Sequence, residues 1–201
     1  MSDDVVRLSK RLSWLLRHGA GEVGLLMDKA GWSAIDDVLE VLSIPRASLD
    51  DAVARNDKGR LFVDGARIRA CQGHSLAGMP VTVEGLESSW EVVSPAGPLW
   101  HGTHVAAIAG IAAHGIVPGG RSHVHLAPRR DSRVGKRYAV DLLLEVSPVG
   151  LADENLAVFR SPNGVLLARR VPRSAIIGLE SASAAGRRAE VEARCILRLG
   201  T

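Results

Sequence analysis

The sequence has few cysteines, few aromatic residues and no long apolar run. Its two cysteines, Cys71 and Cys195, are too few for a disulfide scaffold or a four-cysteine zinc site, so we expect no metal and a reducing, cytoplasmic setting. Aromatic residues are 3% of the 201 residues, which argues against a base-stacking platform of the RRM or OB type. The best candidate for a membrane span, residues 105–113, is too short. Residues 1–10, acidic and then amphipathic, do not resemble a secretory signal.

The chain also lacks a strong excess of charge of one sign. Lysine and arginine total 25 against 22 acidic residues, a net charge of +3, which is too small for a non-specific nucleic-acid binder. Neither a GxGxxG nor a P-loop motif occurs, so a Rossmann or Walker nucleotide site is not expected. The hydrophobic fraction of 46% is nevertheless enough for a globular core.

The sequence predicts an α+β protein with two lobes. In residues 1–80, apolar residues at helical spacing predict three helices, with Gly19 ending the first, Ser33 capping the second and Pro45 ending it. Two short apolar segments then flank Asp64-Gly65, which predicts a β-hairpin. Three helices followed by a hairpin is the winged-helix order.

Residues 76–94 contain Gly, Pro and Ser and are predicted to be a linker or a domain edge. From about residue 90 to 201 we expect a mixed, strand-rich lobe. Its predicted strands include residues 123–127 and 138–146, and a second hairpin turns at residues 161–164. Thr103 is predicted to cap a helix that ends before Gly115.

Two basic clusters fall in the first lobe. Arg17-His18-Gly19 ends the first helix, where cations commonly complement the helix dipole, and Lys58-Gly59-Arg60 opens the hairpin, where a solvated turn is the ordinary interpretation. In a winged helix these two clusters could approach one another. They become candidates for a functional site only together with cations from elsewhere in the chain.

The second lobe adds two unusual segments. His101-Gly102-Thr103 lies where a strand is expected to end, and its glycine permits close approach of a ligand to the backbone. In residues 119–126, Arg121 precedes His123 and His125, which alternate onto one face of a strand. Residues 121–137 hold six basic residues and one acidic residue, which suggests phosphate contact, although a solvated loop is an alternative.

Taken in order, these segments resemble the RNA 2′-phosphotransferases, the NAD-dependent family known for the last step of tRNA splicing in eukaryotes. The resemblance rests on eight pieces spread over both lobes: residues 9–18, Gly31-Trp32, residues 56–60, residues 68–75, residues 99–103, Gly115-Ile116, residues 120–126 and residues 161–167. Trp100 stands where the family usually has a smaller aromatic residue, and Cys71 stands where it commonly has a polar one.

The resemblance implies a winged-helix lobe for RNA, residues 1–80, and an ADP-ribosyltransferase-like lobe for NAD, residues 90–201. It also implies a two-step reaction in which NAD is consumed. The internal 2′-phosphate of RNA attacks the nicotinamide ribose and expels nicotinamide, giving an ADP-ribosylated RNA intermediate. A ribose hydroxyl then attacks the phosphorus, releasing the RNA 2′-hydroxyl and ADP-ribose 1″,2″-cyclic phosphate.

The resemblance carries the family's catalytic tetrad onto Arg17, His18, Arg60 and Arg121, with Lys58 as a supporting cation. It places NAD against His101, Gly102, Thr103, His125 and Val165, and His123 remains an alternative to His125. Guanidinium groups suit this chemistry because they bind phosphate oxygens in pairs and stabilise the charge of the transition state. We expect a monomer that acts on 2′-phosphorylated RNA and does not bind membranes.

Two other functions remain open from the sequence. An enzyme of the same fold could cap terminal phosphates of RNA or DNA with ADP-ribose and stop after the first step. A winged-helix regulator with a nucleotide-sensing lobe is the alternative outside enzymes, but the neutral charge of residues 1–80 weakens it.

Overall fold

The computed structural model of the protein describes residues 3–56, 59–132 and 139–200. The chain is a mixed α and β protein with antiparallel sheets and, within these ranges, seven α-helices. It divides into two compact units. The first unit contains residues 1–91, 120–122 and 161–163, and the second contains residues 92–119, 123–160 and 164–201.

The first unit begins with three helices. Helix α1, Asp3–Trp14, continues into a π-helical turn, Leu15–Gly19. After the short strand β1, Ser33–Ala34, come α2, Ile35–Leu42, and α3, Arg46–Ala54. Their buried apolar residues recur at helical spacing and form the core of this unit, because a helix is stable here only when its apolar face is covered. The core residues include Leu12, Leu15, Leu16, Ile35, Val38, Leu49 and Ala52.

The predicted hairpin is confirmed. Strands β2, Leu61–Asp64, and β3, Arg67–Ala70, pair antiparallel around Gly65, whose φ of +57° is a conformation that glycine adopts readily. Strand β1 pairs with the other side of β3, so that β3 is the central strand of a three-stranded sheet. Ile68 is completely buried beneath this sheet.

Two local predictions in this unit are wrong. Ser33 does not cap α2, because it lies in β1 opposite Ile68, and Ala34 is the residue before the helix. Residues 76–94 are not a linker, because they contain helix α4, Val83–Glu87, and strand β4, Glu91–Val93. The alternative prediction of a domain edge agrees with the boundary of the two units, which follows residue 91. The Thr82 hydroxyl caps α4 by accepting a hydrogen bond from the Gly85 amide at 3.0 Å.

The second unit contains β5, Leu99–Thr103, and α5, Ile108–His114, which are joined by a 3₁₀ turn. Thr103 therefore ends a strand and does not cap a helix. The remaining elements in chain order are β6, Val124–Leu126; β7, Leu142–Val146; α6, Pro148–Asp153; β8, Val158–Arg160; β9, Leu166–Ala168; β10, Ile176–Ser181; and α7, Ala184–Ile196.

The strands of the second unit form two antiparallel sheets. One has the order β10-β7-β5, and the other has the order β4-β8-β9-β6, in which β4 starts at the boundary of the two units. Backbone pairing of Trp100 with Ala127 connects β5 to the residue after β6. A shared apolar core, which includes Leu99, Leu126, Leu144 and Leu166, packs the two sheets together and holds β5 and β6 close to each other.

Candidate active site

The first unit gathers four of the residues singled out by the sequence: Arg17, His18, Arg60 and Arg121. Arg17 and His18 lie in the π-helical turn that follows α1, and such turns are frequent at functional sites. Arg60 immediately precedes β2, and Arg121 lies in the segment 120–122. Lys58, the expected supporting cation, lies outside the described residues.

Arg17 is a largely buried cation at the centre of this group. Within the described part of the chain, its Nε and Nη2 atoms are buried and have no hydrogen-bond partner. Burial first, and then the nearby charges of Arg60 and Arg121, lower the pKa of Arg17 to about 10. An unpaired buried guanidinium costs free energy, and a bound anion would remove that cost.

The thiol of Cys71 does not neutralise these arginines. Burial raises the pKa of Cys71 to about 11, so the thiol is uncharged near neutral pH. Its Sγ instead donates a hydrogen bond to the carbonyl oxygen of Gly59 at 3.1 Å. Cys71 therefore supplies no negative charge to balance the guanidinium of Arg17.

His18 is solvent-exposed, and its Nδ1 lies 2.8 Å from the hydroxyl oxygen of Ser75. Desolvation first, and then the charges of Arg17 and Arg121, lower the pKa of His18 below its ordinary value of 6.5. The imidazole is accordingly neutral near pH 7 in the absence of a ligand. A phosphate dianion bound to the same arginines would favour the protonated form.

Residues 71–75 hold the cluster together, a role that the sequence alone did not indicate. The Cys71 amide donates to the Arg60 carbonyl oxygen at 2.9 Å, and the Ser75 amide donates to the Arg17 carbonyl oxygen at 2.9 Å. The Ser122 amide donates to the His74 carbonyl oxygen at 2.8 Å. One five-residue segment thus fixes the backbone beside all four candidate residues.

In the second unit, the candidate dinucleotide residues lie on β5, on β6 and next to β9. The Nδ1–H of His101 donates to the carbonyl oxygen of His125 at 3.0 Å, so the neutral ring has its lone pair on Nε2. Gly102 is buried, and a Cβ atom there would lie 2.9 Å from a methyl group of Val140. Thr103 and Val165 are also buried.

His123 and His125 differ in their surroundings. His123 is 1% exposed, and its ring packs edge-on against Phe159 with centroids 6.2 Å apart. His125 is partly exposed and lies within β6. The structure thus separates two histidines that the strand pattern could not distinguish.

The basic segment 121–137 is only partly described. Arg129 lies 3.3 Å from Asp131, and Arg130 lies 2.7 Å from Glu180, so both arginines have carboxylate partners. Arg133, Lys136 and Arg137 lie outside the described residues.

Comparison with known proteins decides the family. The family model described as RNA 2′-phosphotransferase, Tpt1 / KptA family, matches residues 3–170. The chain belongs to this family. Among curated RNA 2′-phosphotransferase relatives, each named "Probable RNA 2′-phosphotransferase", the protein of Burkholderia lata is 39% identical over 84% of this chain and 88% of its own length.

Two further relatives with the same name come from other groups of bacteria. The protein of Streptomyces coelicolor is 37% identical over 83% of this chain and 91% of its own length. The protein of Acaryochloris marina is 32% identical over 90% of this chain and 100% of its own length. The RNA 2′-phosphotransferases are enzymes, which sets aside the interpretation as a non-catalytic regulator.

Proposed function

We propose that this protein removes an internal 2′-phosphate from RNA by transferring it to NAD. The observation that carries the proposal is the guanidinium of Arg17 beside Arg60, Arg121 and His18. Its buried Nε and Nη2 atoms have no hydrogen-bond partner in the described part of the chain. Three guanidinium groups match a phosphate that carries two negative charges and offers several acceptor oxygens. Membership of the RNA 2′-phosphotransferase family supports RNA as the molecule that bears this phosphate.

We assign the catalytic tetrad to Arg17, His18, Arg60 and Arg121, with Lys58 as a supporting cation. In the first step, an oxygen of the 2′-phosphate attacks the anomeric carbon of the nicotinamide ribose, and the bond to nicotinamide breaks. The phosphate is already ionised, so this attack needs no strong base. The arginines orient the nucleophile and bind its remaining oxygens.

In the second step, the neighbouring ribose hydroxyl attacks the phosphorus, and the bond from phosphorus to the RNA 2′-oxygen breaks. The products are RNA with a 2′-hydroxyl and ADP-ribose 1″,2″-cyclic phosphate. Arg17, Arg60 and Arg121 stabilise the charge that spreads over the phosphoryl oxygens. His18 positions or protonates the 2′-oxygen that leaves, since its pKa rises toward neutrality once the phosphate is bound.

NAD is consumed as the co-substrate and supplies the electrophilic ribose carbon with its nicotinamide leaving group. We assign its contacts to His101, Gly102, Thr103, His125 and Val165. Support comes from the lack of a Cβ atom at the buried Gly102 and from the bond that orients the His101 ring. We favour His125 over His123, because His125 is partly exposed and His123 is buried against Phe159.

We also infer the finer fold class from the order of elements. The first unit begins with three helices that are followed by a hairpin, which supports a winged-helix lobe, and the second has two antiparallel sheets, which supports an ADP-ribosyltransferase-like lobe. Among residues 3–56, 59–132 and 139–200, no helix is long and apolar enough to cross a membrane. The cytoplasmic location, the monomeric state and a role in tRNA splicing stay predictions.

The decisive experiment is incubation of the protein with an internally 2′-phosphorylated oligonucleotide, with and without NAD. We expect loss of the 2′-phosphate and formation of ADP-ribose cyclic phosphate only when NAD is present. Unchanged substrate, or turnover without NAD, would contradict the proposal. A 5′-phosphorylated oligonucleotide serves as the parallel substrate, because stable ADP-ribosylation of that end would instead support the capping activity.

A further inference from the structure

One face of the hairpin carries a row of side chains that starts at the phosphate-binding arginines. Side chains alternate along a strand, so Arg60, Phe62 and Asp64 share a face, and the buried Leu61 lies on the other. On the neighbouring strand β3, Arg69 lies opposite Phe62. The row therefore runs from the candidate active site toward the tip of the hairpin.

Phe62 and Trp32 form an aromatic pair on this face. Their ring centroids are 5.7 Å apart, and the ring planes are tilted by 52°. The guanidinium carbons of Arg67 and Arg69 lie 4.9 Å and 5.1 Å from the centroid of the Trp32 ring. We call Trp32, Phe62 and Arg67 the aromatic patch.

The patch covers Arg69 but is itself open to solvent. Arg69 is 1% exposed, whereas Phe62 is 41% exposed. A phenylalanine in a core would be almost fully buried, so covering Arg69 does not account for the solvent-facing part of the Phe62 ring. The exposed ring surface is available to a ligand.

Arg67, whose guanidinium lies over the Trp32 ring, can bind an anion at the patch. It pairs with Asp64 at 3.4 Å, and both side chains are more than half exposed. A surface ion pair of this kind contributes little to stability. A phosphate group can therefore replace Asp64 as the partner of Arg67 with a small loss of free energy. An exposed aromatic ring beside an available arginine is the combination that single-stranded nucleic acid requires.

The spacing along β2 fits a polynucleotide whose 2′-phosphate lies at Arg60. A strand rises by about 3.4 Å per residue, so Phe62 lies about 7 Å further along the same face. The base of the nucleotide next to the phosphorylated one can reach the Phe62 ring at that distance. A free mononucleotide bound at Arg60 has no flanking nucleotide to place there.

We propose that the aromatic patch binds the nucleotide that flanks the 2′-phosphorylated residue, with its base stacked on Phe62 and its backbone phosphate contacted by Arg67. This inference rests on the proposed function, because it assumes that RNA carries the phosphate. Stacking on an aromatic ring is tolerant of base identity. The patch therefore selects polynucleotides over mononucleotides without selecting a sequence.

The test compares a 2′-phosphorylated mononucleotide with a 2′-phosphorylated trinucleotide in the presence of NAD. For Phe62→Ala, we expect KM for the trinucleotide to rise about tenfold, with kcat unchanged, and KM for the mononucleotide to stay the same. Phe62→Tyr keeps the ring and should restore the lower KM. Leu26→Ala removes another exposed apolar side chain of the same unit and should leave KM unchanged for both substrates.

Other outcomes overturn the inference in distinguishable ways. If Phe62→Ala lowers kcat/KM equally for both substrates, Phe62 only supports the packing of Arg69 and the arginine cluster. If KM and kcat of Phe62→Ala are unchanged for both substrates, the Phe62 ring contacts no nucleotide. If the wild-type protein turns over neither substrate, the proposed function itself fails, and the comparison of variants is not reached.

Arg67 gives a second readout that does not depend on turnover. We expect Arg67→Gln to weaken binding of the trinucleotide a few-fold in the absence of NAD. The slope of log binding constant against log salt concentration should fall by about 0.7, the value for one phosphate contact on a single strand. An unchanged slope would show that Arg67 does not contact the RNA backbone.

Discussion

The backbone amide of Ser122 donates a hydrogen bond of 2.8 Å to the carbonyl oxygen of His74. Through this bond, the segment that carries Arg121 is attached to the same turn that supports Arg17 and His18. The ring of His74 is completely buried and packs against Gly31, where a Cβ atom would lie 2.8 Å from Nε2. The position of Arg121 thus depends on a histidine that need not touch the substrate.

We expect Gly31→Ala to destabilise the protein and weaken phosphate binding. Gly31 has a φ of +87°, and the added methyl group would displace the His74 ring. Gly24→Ala is the matched control, because Gly24 has a φ of +69° but open space around it. In urea unfolding, Gly31→Ala should cost about 1–3 kcal/mol more than Gly24→Ala. If the two substitutions lower the free energy of unfolding equally, the His74 ring moves to make room for the methyl group without strain.

Arg17→Met should inactivate the protein and also make it more stable. Methionine keeps the apolar stem but removes the buried Nε and Nη2 atoms, which have no hydrogen-bond partner among the described residues, a gain of about 1–3 kcal/mol. Turnover of a 2′-phosphorylated oligonucleotide should fall at least roughly 100-fold. Thermal unfolding and single-turnover kinetics measure the two effects.

The control for this substitution is Arg7→Met on the same helix. The side chain of Arg7 is 73% exposed, so its removal should change neither stability nor rate substantially. A loss of stability in Arg17→Met would mean that Arg17 has a structural function that outweighs the cost of its burial.

The pKa of His18 should respond to phosphate. Without ligand, burial and two nearby cations disfavour the protonated imidazole, so its pKa lies below 6.5. A saturating 2′-phosphorylated nucleotide places negative charge beside the ring and should raise that pKa. Titration of the histidine resonances by NMR measures both values, and His18→Gln identifies the correct signal. A pKa that falls or does not move on binding would place the phosphate away from His18.

His18→Ala and Arg60→Ala should separate the two steps of the reaction. If these residues act mainly on phosphoryl transfer, each variant should accumulate ADP-ribosylated RNA. The intermediate can be detected by gel shift and mass spectrometry. Failure of the first step in either variant would contradict the assigned role.

His101→Ala should raise KM for NAD roughly tenfold, since it removes one oriented polar contact. Binding of the 2′-phosphorylated oligonucleotide without NAD should not change, because the phosphate site is assigned to other residues. His104→Ala is the neighbouring control, since the His104 side chain is 46% exposed and pairs with Asp141. A similar rise in KM for both variants would indicate a general disturbance of β5.

The hairpin and the amphipathic helices could be predicted from the sequence, whereas the candidate tetrad stays a prediction. Asp64-Gly65 is a strong local turn signal, and the tetrad followed from several ordered motifs rather than from any one of them. Thr103 was misassigned because a polar residue after a strand is typical of a helix cap, whereas here it pairs with Leu142 in the sheet.

The support given by residues 71–75 could not be predicted, because backbone hydrogen bonds to distant segments leave no periodic pattern. For the same reason, the sequence did not predict the helix and the strand within residues 76–94. The indole of Trp90 donates to the Cys71 carbonyl oxygen at 3.0 Å, a long-range bond that helps to order residues predicted to be unstructured. The sequence also does not indicate whether His74 and Ser75 have a structural or a functional role.

The first unit takes Arg121 from a three-residue segment, 120–122, that is flanked on both sides by residues of the second unit. This arrangement constrains how the protein can evolve. A recombination event near residue 91 would transfer the helices and the hairpin to another protein but would leave Arg121 behind. The proposed phosphate site therefore cannot be inherited with residues 1–91 alone.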